Sequence, residues 1–242
     1  MTKLVYNNSV NRILKGRIMS EEKLRAAICD VGRDLWVLGM VAANDGNISV
    51  RLDDGSILTT PTGVSKRDMT PEMMIRADIN GVMIDSPLGI RPSSEFGMHL
   101  TCYRERPDIG AVVHAHPPYA TAFACAHIPL DDYSLSEAVT FMGSVPCAGF
   151  ATPGTNAVGE SIKPFLAEHD TILLSNHGAL TLGVDLTAAY FRMETLEHSA
   201  KVAFIARQLG GAKEIPRESI DFLTEVGRKM NIRHPGYKKY ND

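Results

Sequence analysis

The sequence predicts a mixed α/β fold, a sheet with helices on both sides. Three observations lead there. Short apolar runs of strand length recur at 48–50, 57–59, 109–114 and 171–174. Tight-turn signals sit between several of them. Longer stretches with helical apolar spacing separate or follow them, as expected when a sheet is covered by helices. The 242 residues are 44% hydrophobic, enough for a large buried core. No Ser/Gly/Pro-rich linker divides them, so one domain is expected over 19–242, preceded by an arm at 1–18.

The elements follow in order. Ser20 with Glu21 and Glu22 marks a helix start, with acidic residues in the first turn. Leu24, Ile28, Val31, Leu35 and Leu38 form its apolar stripe. Gly46-Asn47 turns the chain into a strand, and Asp53-Asp54-Gly55 is a hairpin signal ahead of Ile57–Thr59. Asp78-Ile79-Asn80-Gly81 is a second such turn. Pro92-Ser93-Ser94-Glu95 opens a helix reaching about Glu105. A strand is expected over Ile109–His114, a helix over Pro118–Ala126, and a hairpin from Thr171–Leu174 to Ala179–Leu182. Two helices, about 186–210 and 216–229, close the chain.

Composition excludes several function classes. Net charge is −3 with no basic patch, so nucleic acid and acidic membrane surfaces are not expected partners. Cys29, Cys102, Cys125 and Cys147 are widely spaced, without a C-x-x-C pair, and read as reduced core thiols. The first eighteen residues lack the apolar centre of a signal peptide, and no run approaches 18 apolar residues. A soluble, cytoplasmic protein is expected.

The chemistry concentrates in three histidines. His114 and His116 stand at i and i+2 at the end of an apolar strand, before Pro117-Pro118. Extended backbone lets both rings face one way. His177 follows a second apolar strand. Three imidazoles make a site of the kind that holds Zn²⁺ with a position left open. The other histidines have mixed settings and read as surface or satisfied core residues. Glu95 is either an ordinary helix-start glutamate or a carboxylate beside the metal, serving as fourth ligand or as general base.

A second set is made of neutral donors. Gly46-Asn47, Thr62-Gly63 and Ser93-Ser94 offer backbone N–H groups and hydroxyls at turns and at a helix start. Singly, each is ordinary turn or cap chemistry. Together they can form a phosphate cradle with no lysine or arginine in it. Tyr133 and Glu137 are either loop residues or acids completing the site.

These residues resemble the class II aldolase/adducin superfamily, in its L-fuculose-1-phosphate aldolase branch. The match runs from about residue 21 to 210 through GNISVRL (46–52), TPTGVSK (60–66), PSSE (92–95), RPDIGAVVHAHPPYATAFA (106–124), VPCAGFATPGT (145–155) and LLSNHGALTLG (173–183). The resemblance implies a three-layer α/β/α fold around a mainly antiparallel sheet. It also implies a homotetramer with active sites at subunit interfaces. By resemblance His114, His116 and His177 match the zinc-binding histidines, with Mn²⁺ or Co²⁺ also compatible with such a set. Glu95 matches the glutamate that is ligand and acid/base. Gly46, Asn47, Thr62, Gly63, Ser93 and Ser94 match phosphate-binding positions. Tyr133 resembles a tyrosine that such aldolases present from a neighbouring subunit. Glu137, or a tyrosine of the C-terminal Gly236–Tyr240 stretch, is the alternative second acid.

The implied activity is metal-dependent cleavage of a ketose 1-phosphate, such as L-fuculose 1-phosphate, to dihydroxyacetone phosphate and a short aldehyde. The rivals are a sugar-phosphate 4-epimerase, a methylthioribulose-1-phosphate-type dehydratase, and a non-catalytic adducin-like scaffold. No motif fixes which aldehyde is released.

Overall fold

The computed structural model describes residues 19–240, so the arm expected at 1–18 lies outside the described residues. Eight strands form one sheet: β1 (Asn47–Arg51), β2 (Ile57–Thr59), β3 (Ile75–Ala77), β4 (Met83–Asp85), β5 (Ala111–Ala115), β6 (Cys147–Ala148), β7 (Thr171–Leu174) and β8 (Gly178–Gly183). Their order is β4-β3-β2-β1-β5-β8-β7-β6, antiparallel throughout except for β6 beside β7. Seven helices are present among the described residues: α1 (Glu21–Val37), α2 (Phe96–Glu105), α3 (Pro118–Cys125), α4 (Ser136–Phe141), α5 (Asn156–Leu166), α6 (Leu186–Gln208) and α7 (Arg217–Lys229).

Period-two alternation divides the core into two layers. Ala111 and Val113 of β5 pack with Ile28, Phe123 and Met193 from α1, α3 and α6. Val112, between them, packs on the opposite face with Leu100 and Ile162 from α2 and α5. The fold is therefore the expected three-layer α/β/α arrangement with a mainly antiparallel sheet. At the α2–α5 contact, a Cβ on Gly159 would stand 2.5 Å from Thr101 Oγ1, so glycine is what permits the helices to approach.

Several boundaries differ from expectation. The strand expected at Ile109–His114 begins at Ala111 and runs through Ala115. α1 stops at Val37, and Leu38 is its exposed C-cap. The Asp78 turn joins β3 to β4 because Asp78 Oδ1 accepts from the backbone N–H of both Asn80 and Val82, each at 2.8 Å. No helix among the described residues is long and apolar enough to cross a membrane.

Three histidines outside the cluster are buried: His99, His169 and His234. His99 Nδ1 lies 2.6 Å from Ser49 Oγ, which in turn lies 2.9 Å from Tyr103 OH. His169 Nε2 is 2.7 Å from Tyr240 OH. Burial, then the nearby His114 charge, lowers the His99 imidazole to about 3; burial and Lys238 lower His169 to about 4. Both are neutral in the fold and return to about 6.5 on unfolding. Below that pH the unfolded chain binds more protons, so stability falls as pH drops. The slope is ~1.4 kcal/mol per pH unit for each histidine. Melting temperature measured from pH 7.5 down to 5 should therefore decrease steadily; a flat profile would refute the neutral burial of this pair.

Candidate active site

Sheet register gathers the three histidines. β5 pairs antiparallel with β8, placing His114 opposite Leu180 and Ala115 opposite Ala179. The end of β5 thus lies beside the start of β8, where the Ser175–His177 turn enters. Asn176 takes a left-handed φ of 56° in that turn, and its Oδ1 lies 2.7 Å from His127 Nε2. The ring centroids of His114, His116 and His177 are 4.7–5.0 Å apart. One nitrogen from each lies within 4.8 Å of the others.

Glu95 reaches the same point from the α2 layer, on the face of the sheet to which His114 points. Its helix begins after the Pro92–Glu95 stretch expected to open it: α2 starts at Phe96, and Glu95 is the N-cap residue at φ −97°, ψ 7°. Its side chain makes no capping bond. The carboxylate turns to the histidines, with Oε2 3.2 Å from His114 Nε2 and Oε1 3.2 Å from His177 Nε2. Burial raises the Glu95 carboxyl, but the His114 contact and the His114 and His177 charges outweigh this and hold it at about 2. Burial, then the neighbouring His114, lowers His177 to about 4 and draws His116 down as well. The neutral His177 ring, facing the Glu95 carboxylate, can then offer a lone pair to the site.

The donor set fits a cation on observable grounds. His114 Nδ1 lies 2.9 Å from the Ala179 carbonyl, and His116 Nδ1 lies 3.3 Å from Asp45 Oδ2. Each acceptor fixes the proton on Nδ1 and leaves the Nε2 lone pair for the site. Those two Nε2 atoms are 3.1 Å apart. Lone pairs that close repel unless a cation lies among them. Glu95 Oε1 is also buried without a hydrogen-bond partner. His114, His116, His177 and Glu95 could therefore hold a metal ion.

The neutral donors gather beside this cluster. Asn47 Nδ2 donates to Ser93 Oγ at 3.1 Å and to Glu95 Oε2 at 3.2 Å. Ser93 Oγ also accepts the Glu95 backbone N–H at 3.3 Å. A bridge between Pro61 and Pro92 sets the Thr62-Gly63 turn alongside Ser93-Ser94. Gly46 has φ 74°, and a Cβ there would meet the His114 carbonyl at 2.9 Å, so no other residue fits that turn. All six predicted cradle residues thus belong to three adjacent loops. One cation adjoins two of these loops: Lys66, 1% exposed, donates to the carbonyls of Val64 at 2.8 Å and Asn44 at 3.3 Å. Neither Asp45 nor Lys66 stands out in the sequence by itself, although Asp45 adjoins GNISVRL and Lys66 closes TPTGVSK.

Tyr133 and Glu137 lie apart from the cluster, with no hydrogen bond or ring contact to it. The Tyr133 hydroxyl lies 3.0 Å from the carbonyls of Gly236 and Lys238 and accepts the Lys238 N–H at 2.6 Å. The ring stacks on Tyr237. Glu137 is exposed in the first turn of α4. Tyr240 lies against His169, which precedes β7, whereas His177 follows β7. The C-terminal tyrosine therefore occupies the other end of the sheet.

Comparison with known proteins decides the family. The model of the class II aldolase and adducin N-terminal domain matches residues 26–204. The chain belongs to the class II aldolase and adducin family. A 3-oxo-tetronate 4-phosphate decarboxylase of Pectobacterium atrosepticum is 34% identical over 217 residues, covering 86% of this chain and 94% of that one. An L-fuculose phosphate aldolase of Escherichia coli O157:H7 is 33% identical over 184 residues, covering 76% and 84%. A solved L-fuculose 1-phosphate aldolase superposes with a TM-score of 0.80 at 28% identity, over 90% of this chain and all of that one. This class II aldolase chain is thus similar to enzymes that break carbon–carbon bonds in phosphorylated sugars and sugar acids.

Proposed function

We propose that this protein is a metal-dependent carbon–carbon lyase that produces the enediolate of dihydroxyacetone phosphate, and that its reaction is aldol cleavage of a ketose 1-phosphate. The observation carrying this reading is the buried Glu95 carboxylate, its Oε1 without a hydrogen-bond partner, directed at His114 and His177 beside a set of neutral donors. His114, His116, His177 and Glu95 would hold the cation. A divalent ion there, zinc with manganese or cobalt as alternatives, supplies Lewis-acid stabilisation of the developing oxyanion.

The chain's own residues do the rest. Gly46, Asn47, Thr62, Gly63, Ser93 and Ser94 bind the phosphate and hold the reacting carbons against Glu95, converting binding into orientation. When the C3–C4 bond breaks, its electron pair moves into the C2 carbonyl. Glu95, after taking up a proton from solvent, delivers it to C3, and dihydroxyacetone phosphate leaves. The C4 hydroxyl proton must go to a second base. Tyr133 or Glu137 of a neighbouring protomer is our assignment for it, within a homotetramer that light scattering of the purified protein would reveal.

A second reading has its own support. Decarboxylation of a 3-oxo-tetronate 4-phosphate breaks C1–C2, releases CO₂ and leaves the same enediolate, which Glu95 protonates at C2. No hydroxyl proton need be removed, so no second base is required. The decarboxylase relative and the engaged Tyr133 hydroxyl favour this variant. No comparable observation favours the epimerase, dehydratase or scaffold.

Supplying each substrate separately and coupling dihydroxyacetone phosphate to its reduction separates the two. L-fuculose 1-phosphate turnover supports the aldolase, and CO₂ release from the keto acid supports the decarboxylase. Inactivity on both would refute this substrate class. Glu95→Gln should lower kcat by roughly 10²–10⁴-fold with metal still bound, because the proton carrier is lost while one ligand oxygen remains. Metal content and single-turnover rate check this; full activity would remove Glu95 from the chemistry.

A further inference from the structure

The two loops that carry four of the six cradle residues share one buried cation. Gly46 and Asn47 follow Asn44, and Thr62 and Gly63 precede Val64; the carbonyls of Asn44 and Val64 are the acceptors of the Lys66 ammonium. The lysine stem lies along α1, where a Cβ on Gly32 would come within 3.5 Å of Lys66 Cβ and 3.1 Å of its carbonyl. An ammonium has three donors. Two are used, and no third acceptor is present among the described residues.

Asp45 is the charged group whose field reaches this ammonium. It is itself engaged with His116 at 3.3 Å. Burial lowers the Lys66 ammonium to about 8 while Asp45 raises it, so it remains charged at neutral pH. A purely structural link between two loops does not require a charge. Desolvating an ammonium is costly, and an apolar side chain would fill the same crease more cheaply. A buried cation beneath loops of neutral donors is explained if an anion binds above them.

We propose that Lys66 is the charged base of the phosphate cradle, fixing the Asn44–Asn47 and Thr62–Val64 loops and supplying the positive field that holds the substrate's phosphate. This rests on the phosphate-cradle reading given above. Lys66 acts as a binding and positioning residue through the loops, with the backbone N–H groups and hydroxyls as the direct donors.

The test uses inorganic phosphate as probe. Its affinity for the metal-loaded protein is measured by calorimetry, with KM and kcat taken on whichever substrate turns over. Lys66→Gln keeps an N–H donor for the carbonyls but removes the charge, Lys66→Met removes both, and Lys66→Arg keeps the charge. Phosphate affinity should fall about tenfold or more in the Gln and Met variants and by less than about threefold in the Arg variant. Metal content and kcat should stay near wild type while KM rises. Should Lys66→Met fail to fold, Lys66→Gln decides. Wild-type affinity in folded Lys66→Gln would overturn the inference and leave Lys66 as a packing residue. Wild-type protein that does not bind phosphate would overturn the cradle and this inference together. Lysine-dependent phosphate binding in a protein that cleaves neither substrate would uphold Lys66 and refute only the reaction.

Discussion

Replacing His114 with alanine should abolish metal binding and turnover together. Its ring is fully buried, its Nδ1 is held by the Ala179 carbonyl, and its Nε2 faces His116 and Glu95. No neighbouring group can supply the missing nitrogen. Losing even an outer partner of a ligand costs roughly 10–100-fold in metal affinity or activity; losing the ligand should exceed that, with kcat/KM down ~10³-fold or more. Elemental analysis of the purified variant, beside its melting curve, checks the claim. A folded His114→Ala protein with one metal per chain and ordinary turnover would refute the site.

Asp170→Ala should be the most destabilising single change outside the site. Asp170 precedes β7 with its side chain only 6% exposed, between Arg106 at 2.8 Å and Arg192 at 3.1 Å. It also accepts the backbone N–H of Arg233 at 3.1 Å. These contacts join the end of α2, the start of β7, α6 and the C-terminal segment. Alanine would leave two buried guanidiniums facing each other without their shared anion. Breaking such a buried pair costs about 3–5 kcal/mol. For a domain of this size that is roughly 6–20 °C in melting temperature. Bound metal should persist in the fraction that folds, since the cluster lies at the other end of β7. A melting temperature within about 2 °C of wild type would show that Asp170 is dispensable.

Much of the site was legible because its chemistry needs particular residues at fixed spacing. His114 and His116 depend only on strand geometry, and register then brings His177 to them. The pairs proposed as a cradle stand out in the sequence because small residues at turns leave few signals other than their own. The remainder depends on tertiary contacts that no local pattern encodes. Asp45 acquires its partner only when the loop before β1 meets the end of β5. Lys66 looks like a surface lysine in TPTGVSK, and only packing against α1 buries it. β6 has two residues, too few for a periodic signal, and forms because Val145 pairs with Leu130 and Cys147 lies parallel to Leu173. α5 carries Gly159 and Pro164 within its length, which hides a helix that tertiary contact with α2 sustains. Tyr133 could be singled out from its sequence neighbourhood, but the engagement of its hydroxyl by the chain's own C-terminal backbone could not be read there.

The central claim is that this site forms the enediolate of dihydroxyacetone phosphate with Glu95 moving the proton. Aldol cleavage and decarboxylation share that step, so it can be tested before the natural substrate is known. Metal-loaded protein is incubated with dihydroxyacetone phosphate in D₂O, and the hydroxymethyl protons are followed by NMR. One of the two hydrogens should exchange stereospecifically, and the exchange should cease with EDTA and in Glu95→Gln. Protein carrying one metal per chain that catalyses no exchange would contradict the account.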